Sequence, residues 1–260
     1  MHISKSDIKL LRSLSQKKFR EIEGKFIVEG WRPVKDALNA GIQLDTVAVT
    51  PKYLENPDYR SLLDEIEKRR ITLKELSEIE LHQVSDTVHA QGVIAIAHQR
   101  KTTLGNVLST GPSLIVYADR IADPGNLGSI VRTCDWFGVD ALLLSEGCVE
   151  LYNEKVVRST AGSIFHIPII EQLESEHVLP QLKETGFSII ATSGDSKINY
   201  TGIEYKKMNV LVFGSEANGV RQDLRHLADE VVCIPQTGKA ESLNVSVSCG
   251  IMLANLRNKH

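Results

Sequence analysis

Three apolar runs of the sequence break abruptly into loops of small and polar residues that could bind a ligand. The runs are Leu114–Ala118, Val210–Phe213 and Val231–Ile234, and the last two end at Gly214 and Pro235. Short β-branched runs of this kind are typical of buried strands in a parallel sheet, because helices cover both faces of such a sheet. Open α/β sheets bind ligands at the carboxyl ends of their strands. We therefore expect the three loops to face one crevice.

The loops are rich in backbone donors and poor in positive charge. After the second and third runs they read GSEANG (residues 214–219) and PQTGKAES (residues 235–242), and Lys239 is their one cationic side chain. Backbone amides near Gly214, Glu216 and Leu243 suit a hydrogen-bonding purine with an apolar ribose face better than a triphosphate. The residue types therefore favour an adenosine-like cofactor.

Other well-known ligand and catalytic patterns are incomplete in this sequence. The pair Gly238-Lys239 resembles the end of a phosphate loop, but that motif needs Gly at position 233, which is Cys. The pair Gly125 and Gly128 does not complete the GxGxxG pattern of dinucleotide-binding proteins. No histidine lies near a nucleophile-elbow sequence, so a hydrolase triad has no support.

Length and composition indicate an ordinary globular protein. The chain has 260 residues, of which 42% are hydrophobic, and no run approaches the ~20 apolar residues of a membrane span. The first ten residues carry charges where a signal peptide needs an apolar stretch, so we expect a cytoplasmic location and no membrane contact. The four cysteines form no CxxC pair, which predicts free, buried thiols and no metal site.

The charge is unevenly distributed along the chain. The net charge is −3, but residues 1–35 hold nine Lys or Arg and four Asp or Glu, a local +5 on a body of −8. Residues 4–20 have apolar positions at Ile8, Leu11 and Leu14, which predicts one amphipathic helix with a basic outer face. That face is a candidate nucleic-acid contact, and a merely solvated helix surface is the alternative.

The order of predicted elements gives two α/β units. Short strands and helices alternate over residues 1–100, residues 101–112 lack a strong period and form a linker, and a larger parallel-sheet unit occupies residues 113–260. In the second unit we predict helices over residues 127–137, 154–160 and 173–185. The chain closes with a helix whose apolar stripe is Leu243, Val247, Ile251 and Ala254.

Three ordered segments of the second unit resemble the motifs of the SpoU (TrmH-like) branch of the SPOUT RNA methyltransferases. They are DPGNLGSIVRTCDWFG (residues 123–138), LVFGSEANGV (residues 211–220) and IPQTGKAESLNVSVSCGIMLAN (residues 234–255). Two earlier segments, KKFREIEGKFIVEGWRPVKDAL (residues 17–38) and SDTVHAQGVIAIA (residues 85–97), are similar to the substrate-binding domain of these enzymes, a small fold like ribosomal protein L30e.

The resemblance implies a fold, a reaction and an assembly. The fold would be an L30e-like α/β domain followed by an α/β trefoil-knot domain, one of the rare exceptions to un-knotted topology. The reaction would be methylation of a ribose 2′-hydroxyl in structured RNA, with S-adenosyl-L-methionine as cofactor. Family members are homodimers, with the cofactor pocket beside the dimer interface.

The resemblance also implies roles for single residues. Those expected to hold the cofactor, through backbone groups and apolar contact, are Gly214, Ile234 and Leu243. Those expected to form the catalytic and RNA-facing set are Asn126, Arg132, Glu216, Ser242 and Asn244. One departure is Ala217, where the family has Gly; a methyl group there would cost about 1 kcal/mol if the backbone needs a positive φ.

Arg132 admits two roles in the reaction. The family's arginine at this position is described as a base, but a guanidinium group stays protonated under ordinary conditions. We prefer an electrostatic role, in which Arg132 stabilises the developing alkoxide and clamps the adjacent phosphate.

Several alternatives remain open from the sequence. Asn126 and Ser242 could instead cap helices, whereas Asn244 is expected one turn inside the closing helix. We expect ribosomal RNA of the large subunit as substrate, and transfer RNA is the nearer alternative. The others are a non-catalytic RNA-binding protein with the same fold and a dinucleotide oxidoreductase, which the missing GxGxxG disfavours.

Overall fold

A computed structural model describes residues 1–85, 92–215 and 218–259. The chain divides into two compact units, each with its own sheet. The first contains Met1–Arg100 together with Tyr152–Phe165, and the second contains Lys101–Leu151 and His166–His260. A short segment from the middle of the chain, which the sequence analysis assigned to the second domain, therefore lies in the first unit.

The helices and strands are numbered in chain order. The strands are β1 (Lys25–Glu29), β2 (Leu44–Val49), β3 (Thr72–Glu75), β4 (Val93–His98), β5 (Leu114–Asp119), β6 (Ala141–Ser145), β7 (Ile169–Leu173), β8 (Ser188–Thr192), β9 (Asn209–Gly214) and β10 (Glu230–Val232). The helices are α1 (Lys5–Ser13), α2 (Lys17–Glu23), α3 (Trp31–Asn39), α4 (Pro51–Leu54), α5 (Arg60–Lys68), α6 (Glu78–Val84), α7 (Leu104–Ser109), α8 (Pro124–Trp136), α9 (Glu154–Ser159), α10 (Ser175–Glu184), α11 (Gln222–Leu227) and α12 (Val245–Lys259).

The first unit is built on a four-stranded sheet of order β1-β4-β2-β3. Strand β4 is antiparallel to both of its neighbours, and β2 and β3 are parallel. The sequence of β4, VIAIAH, has five buried residues in a row, as a central strand covered on both faces requires. The predicted small α/β domain is confirmed.

The basic segment at the amino terminus forms two helices where the sequence predicted one. Helix α1 begins with a capping box between Ser4 and Asp7, and the chain turns at Leu14 before α2 starts. Arg20 is 2% exposed, and its guanidinium donates to the carbonyls of Leu14 and Ser15 at 2.7 and 2.8 Å. Arg20, which the sequence analysis placed on the basic outer face, is therefore buried and stabilises this turn.

The second unit is built on a six-stranded parallel sheet of order β10-β8-β9-β5-β6-β7. All six residues of β5 and of β9 are buried, as their β-branched and apolar sequences predict. In the register of these two central strands Asp119 lies opposite Gly214. The carboxyl ends of β5, β8, β9 and β10 therefore lie along one edge of the sheet, and the parallel α/β prediction is confirmed.

Helices α4, α7 and α11 and strand β7 escaped the sequence analysis. Helix α7 lies within the predicted linker and is capped by the side chain of Thr103. Strand β7 has only two buried residues and lies at the edge of the sheet, so its apolar signal is short and its last residue was assigned to a helix. Helix α11 follows the loop after β9 and also went unpredicted.

The described residues contain no helix that is both long enough and apolar enough to cross a bilayer. All four cysteines are free thiols; Cys134 and Cys249 are fully buried, and Cys148 and Cys233 are partly exposed.

Candidate functional site

A cavity of about 740 Å³ opens at the carboxyl ends of β8, β9 and β10. The residues predicted to hold the cofactor, Gly214, Ile234 and Leu243, all line it, as does Ser242. Leu243 is 48% exposed and offers an apolar surface. This volume falls in the range of sites that enclose a nucleoside-sized ligand.

Gly214 allows a backbone contact that no other residue permits. A Cβ atom built on Gly214 would lie 2.0 Å from the carbonyl carbon of Gly219 and 2.1 Å from the nitrogen of Val220. The loop folds back on itself here, and the Gly219 N–H donates to the Ser215 carbonyl at 2.8 Å. Gly219 has a φ of 63°, in the left-handed region that favours glycine. The predictions for Glu216 and Ala217 fall outside the described residues.

A buried ion pair holds the far end of the same loop. Asp119, at the end of β5, is 1% exposed, and its two carboxylate oxygens accept from Nε of Arg221 at 3.2 and 3.3 Å. The Arg221 guanidinium also donates to the Ser175 hydroxyl. Burial raises the pKa of the neighbouring Tyr117 to about 12, so that hydroxyl stays protonated. The Asp119–Arg221 pair fixes the carboxyl-terminal end of the loop to strand β5. The sequence analysis did not identify this pair.

Asn126 and Asn244 are brought together although 118 positions separate them. The Asn244 side-chain amide donates to Oδ1 of Asn126 at 2.8 Å. The Asn244 Oδ1 accepts from the backbone N–H of Ser246 at 2.9 Å, so Asn244 caps helix α12. The prediction that Asn244 lies inside the helix is wrong, because the helix begins one residue later.

Asn126 and Ser242 do not cap helices, so this alternative to their functional role is wrong. Helix α8 is capped by Asp123, whose carboxylate accepts from the Asn126 N–H at 2.8 Å, so Asn126 itself lies in the first turn. Ser242 is exposed in the loop two residues before the cap of α12. Neither Asn126 nor Ser242 therefore acts as a helix cap.

Arg132 lies on a different face of α8 from Asn126. Six residues separate them, which places them roughly 120° apart around the helix axis. Arg132 is exposed and shares its face with Trp136, four residues on, which is 84% exposed. Arg132 is not among the described residues that line the cavity. The structure therefore places the cofactor set in the cavity and Arg132 on a neighbouring exposed face.

The loop after β8 contributes residues that the sequence analysis missed. Thr192, Ser193 and Asp195 line the cavity, and Arg225 of helix α11 donates to the Ser193 hydroxyl at 3.3 Å. The signal was present, because the apolar run of β8 also ends in small and polar residues, TSGD. The cavity therefore combines donors, acceptors and an apolar wall, which fits an adenosine-containing ligand.

Comparison with known families matches nearly the whole chain. Residues 113–254 match the SpoU rRNA Methylase family, and residues 5–95 match the MRM3-like substrate binding domain.

Individual relatives match this chain along nearly their whole lengths. The chain is 30% identical over 250 residues to the 23S rRNA (guanosine(2553)-2'-O)-methyltransferase RlmP of Bacillus subtilis, covering 96% of this chain and 95% of that protein. The crystal structure of an AdoMet-bound rRNA methyltransferase from Sinorhizobium meliloti superposes with a TM-score of 0.87 at 29% identity, covering 99% of this chain and 96% of the other. A structure of an RNA 2'-O ribose methyltransferase gives 0.85 at 31% identity, covering 100% and 99%.

Because of the close contact at Gly214, we expect even the addition of one methyl group there to weaken cofactor binding sharply. In Gly214→Ala the new methyl group meets backbone atoms that cannot move aside without opening the loop. We expect at least tenfold weaker binding of S-adenosylmethionine, equivalent to about 1.4 kcal/mol, by isothermal titration calorimetry. Gly194→Ala is the control, because its Cβ would meet nothing within 4 Å although Gly194 lines the same cavity. Equal affinities of the two variants would contradict the role given to the Gly214 contact.

Proposed function

This chain belongs to the SpoU rRNA Methylase family, and we propose that it methylates a ribose 2′-hydroxyl of large-subunit ribosomal RNA in the cytoplasm. It is an RNA 2′-O-ribose methyltransferase that uses S-adenosylmethionine, which supplies an electrophilic methyl group when bound. The observation that carries the proposal is the cavity at the strand ends, with the Gly214 contact at its wall and the Asn126–Asn244 pair at the amino ends of the two helices.

The protein's part in this reaction is placement. Gly214 and Ile234 offer backbone groups and Leu243 an apolar side chain to the cofactor. Asn126, Ser242 and Glu216 are assigned to the RNA side, where they orient the ribose hydroxyl. Asn244 holds Asn126 and fixes the start of α12 at the same time. Bringing two reactants into one geometry in this way can supply a large share of a rate enhancement.

Arg132 acts as a charge clamp for the RNA. A guanidinium group is a poor proton acceptor, but it can pair with a phosphate and stabilise the alkoxide that develops. The exposed position of Arg132 on α8 leaves it open to a polyanion.

A homodimer explains the exposed apolar surface around this position. Helices α8 and α12 pack against each other, and on or beside them Trp136 is 84%, Leu243 48% and Val247 47% exposed. Large exposed apolar patches mark interaction sites. Leu243 also lines the cavity, so a second copy of this chain that covered these apolar side chains would adjoin the cofactor pocket. Arg132 would then lie beside the interface.

The proposed reaction is tested by transfer of labelled methyl from S-adenosylmethionine to total RNA of a strain lacking this gene. We expect label in large-subunit ribosomal RNA, at a ribose that resists alkaline cleavage. Label in transfer RNA alone would keep the chemistry and change the substrate. No label in naked RNA or in ribosomal particles, with cofactor binding intact, would favour the non-catalytic RNA-binding alternative.

Arg132 variants separate a clamp from a base. Arg132→Ala should lower turnover roughly 100-fold or more, as loss of one charged transition-state donor does. Arg132→Lys keeps the charge without the planar fork and should recover only part of that loss. Both should bind S-adenosylmethionine like the wild type by calorimetry. Near-normal turnover of the lysine variant would count against a bidentate clamp.

Trp136 variants test the assembly. Trp136→Glu places a carboxylate on the apolar patch and should convert a dimer of twice 28.8 kDa into a monomer, measured by light scattering after size exclusion. Trp136→Phe keeps an aromatic side chain and should stay dimeric. A glutamate variant that remains a dimer would show that α8 lies outside the interface.

A further inference from the structure

The first unit carries a cluster of three aromatic side chains at its surface. Trp31 is the first residue of α3, Tyr53 lies on α4, and Tyr59 ends the 3₁₀ turn that follows. The ring centroids of Trp31 and Tyr59 are 4.3 Å apart, and those of Tyr53 and Tyr59 are 4.6 Å apart. The planes of Trp31 and Tyr53 are within 21° of parallel. We call these three residues the aromatic cluster.

Packing holds these rings in place. A Cβ atom built on Gly92 would lie 2.4 Å from Cε2 of Tyr53, so the Tyr53 ring rests directly on the backbone at the start of β4. Tyr59 in turn contacts both other rings. A rigid surface of this kind loses little conformational entropy when a ligand binds to it.

The aromatic cluster is distinct from the core of its unit. The buried cluster that contains Leu11, Leu14 and Ile94 is made of aliphatic side chains, whereas all three rings of the aromatic cluster are partly exposed. The whole chain has only two Trp and six Tyr, and the aromatic cluster contains one of the Trp and two of the Tyr.

The charges around the cluster suit a nucleotide better than a neutral apolar partner. Arg32 and Lys52, each next to a ring residue in the sequence or on the same helix, are exposed and can meet phosphates. Burial, and then the charges of Tyr59 and Glu78, raise the pKa of Tyr53, so its hydroxyl stays protonated in the cluster.

We propose that the aromatic cluster is a stacking site for an unpaired base of the RNA substrate, an inference that rests on the proposed function. Proteins recognise single-stranded RNA in loops and bulges by stacking splayed bases on aromatic rings. The cluster lies within residues 5–95, the part of the chain that matches a substrate binding domain. The cluster belongs to the first unit and Arg132 to the second, so the stacking site would be an RNA contact additional to Arg132.

Matched substitutions test the stacking site in the full-length protein. Trp31→Leu and Tyr59→Leu keep an apolar side chain without an aromatic face, whereas Trp31→Phe and Tyr59→Phe keep the face. The probe is a short fluorescein-labelled single-stranded RNA, with the same strand in a duplex as the comparison, followed by fluorescence anisotropy. The leucine variants should bind the single strand roughly 5- to 100-fold more weakly, and the phenylalanine variants like the wild type. Equal single-strand affinities across all four variants would overturn the proposal, and would also be the result if the cluster served a protein partner.

Two further measurements keep the outcomes distinct. S-adenosylmethionine affinity reports on the other unit and should be unchanged in all four variants. If the wild type methylates no RNA, the proposed function fails, while a difference between leucine and phenylalanine variants still supports a stacking site. If the leucine variants melt early, Trp136→Phe leaves Trp31 as the single tryptophan. Its emission should be quenched by the single-stranded probe, and unchanged emission would overturn the stacking site.

Discussion

The close approach of the Gly214 backbone to Gly219 and Val220 is the contact on which the cavity depends. It turns the chain back at the end of β9, so that the loop presents backbone groups to the cavity. The same loop leaves through Arg221, which is paired with the buried Asp119 of the neighbouring strand. Burying the Asp119 carboxylate costs desolvation, and removing Arg221 would leave that charge uncompensated, so such a pair is weak evidence of stability. We interpret it as a positioning device, because it fixes the loop to β5, a strand whose six residues are all buried.

Parallel strand order explains why residues distant in the sequence meet at this site. The carboxyl ends of β5, β8, β9 and β10 all lie on one edge of the sheet. The loops that follow these strands are therefore neighbours. Helices α8 and α12 then start beside that edge and are linked by the Asn126–Asn244 hydrogen bond. Since Asn244 also caps α12, one side chain sets both the start of a helix and the orientation of its partner amide. A change at Asn244 therefore disturbs structure and chemistry together, whereas a change at Ser242 leaves the cap intact.

The predictable part of this structure is the part with a local cause. Buried strands such as β5 and β9 follow from short β-branched runs, and the cofactor side of the cavity follows from the loops that end them. Strand β7 has only two buried residues, so its signal was too short to separate from the helix after it. The Asp119–Arg221 pair joins positions 102 residues apart, and no periodicity encodes such a contact. The membership of residues 152–165 in the first unit is likewise set by tertiary packing, in which the Tyr152 ring lies 4.5 Å from that of Phe26.

The separation of Arg132 from the cavity bears on how the reaction is driven. The described residues that line the cavity include no histidine, and the carboxylates among them, Asp195 and Glu241, are exposed to solvent. A general base tuned near neutral pH usually needs burial or a neighbouring charge to shift its pKa. The described residues of the cavity include no such group, so the role proposed for them is to hold the cofactor, with the RNA phosphate held by Arg132. In the proposed mechanism Arg132 binds the RNA phosphate from the exposed face of α8, and the rate then depends on how accurately the cofactor and the RNA are aligned. That alignment passes through α8 itself, whose first turn is fixed by Asp123 and by the amide of Asn244.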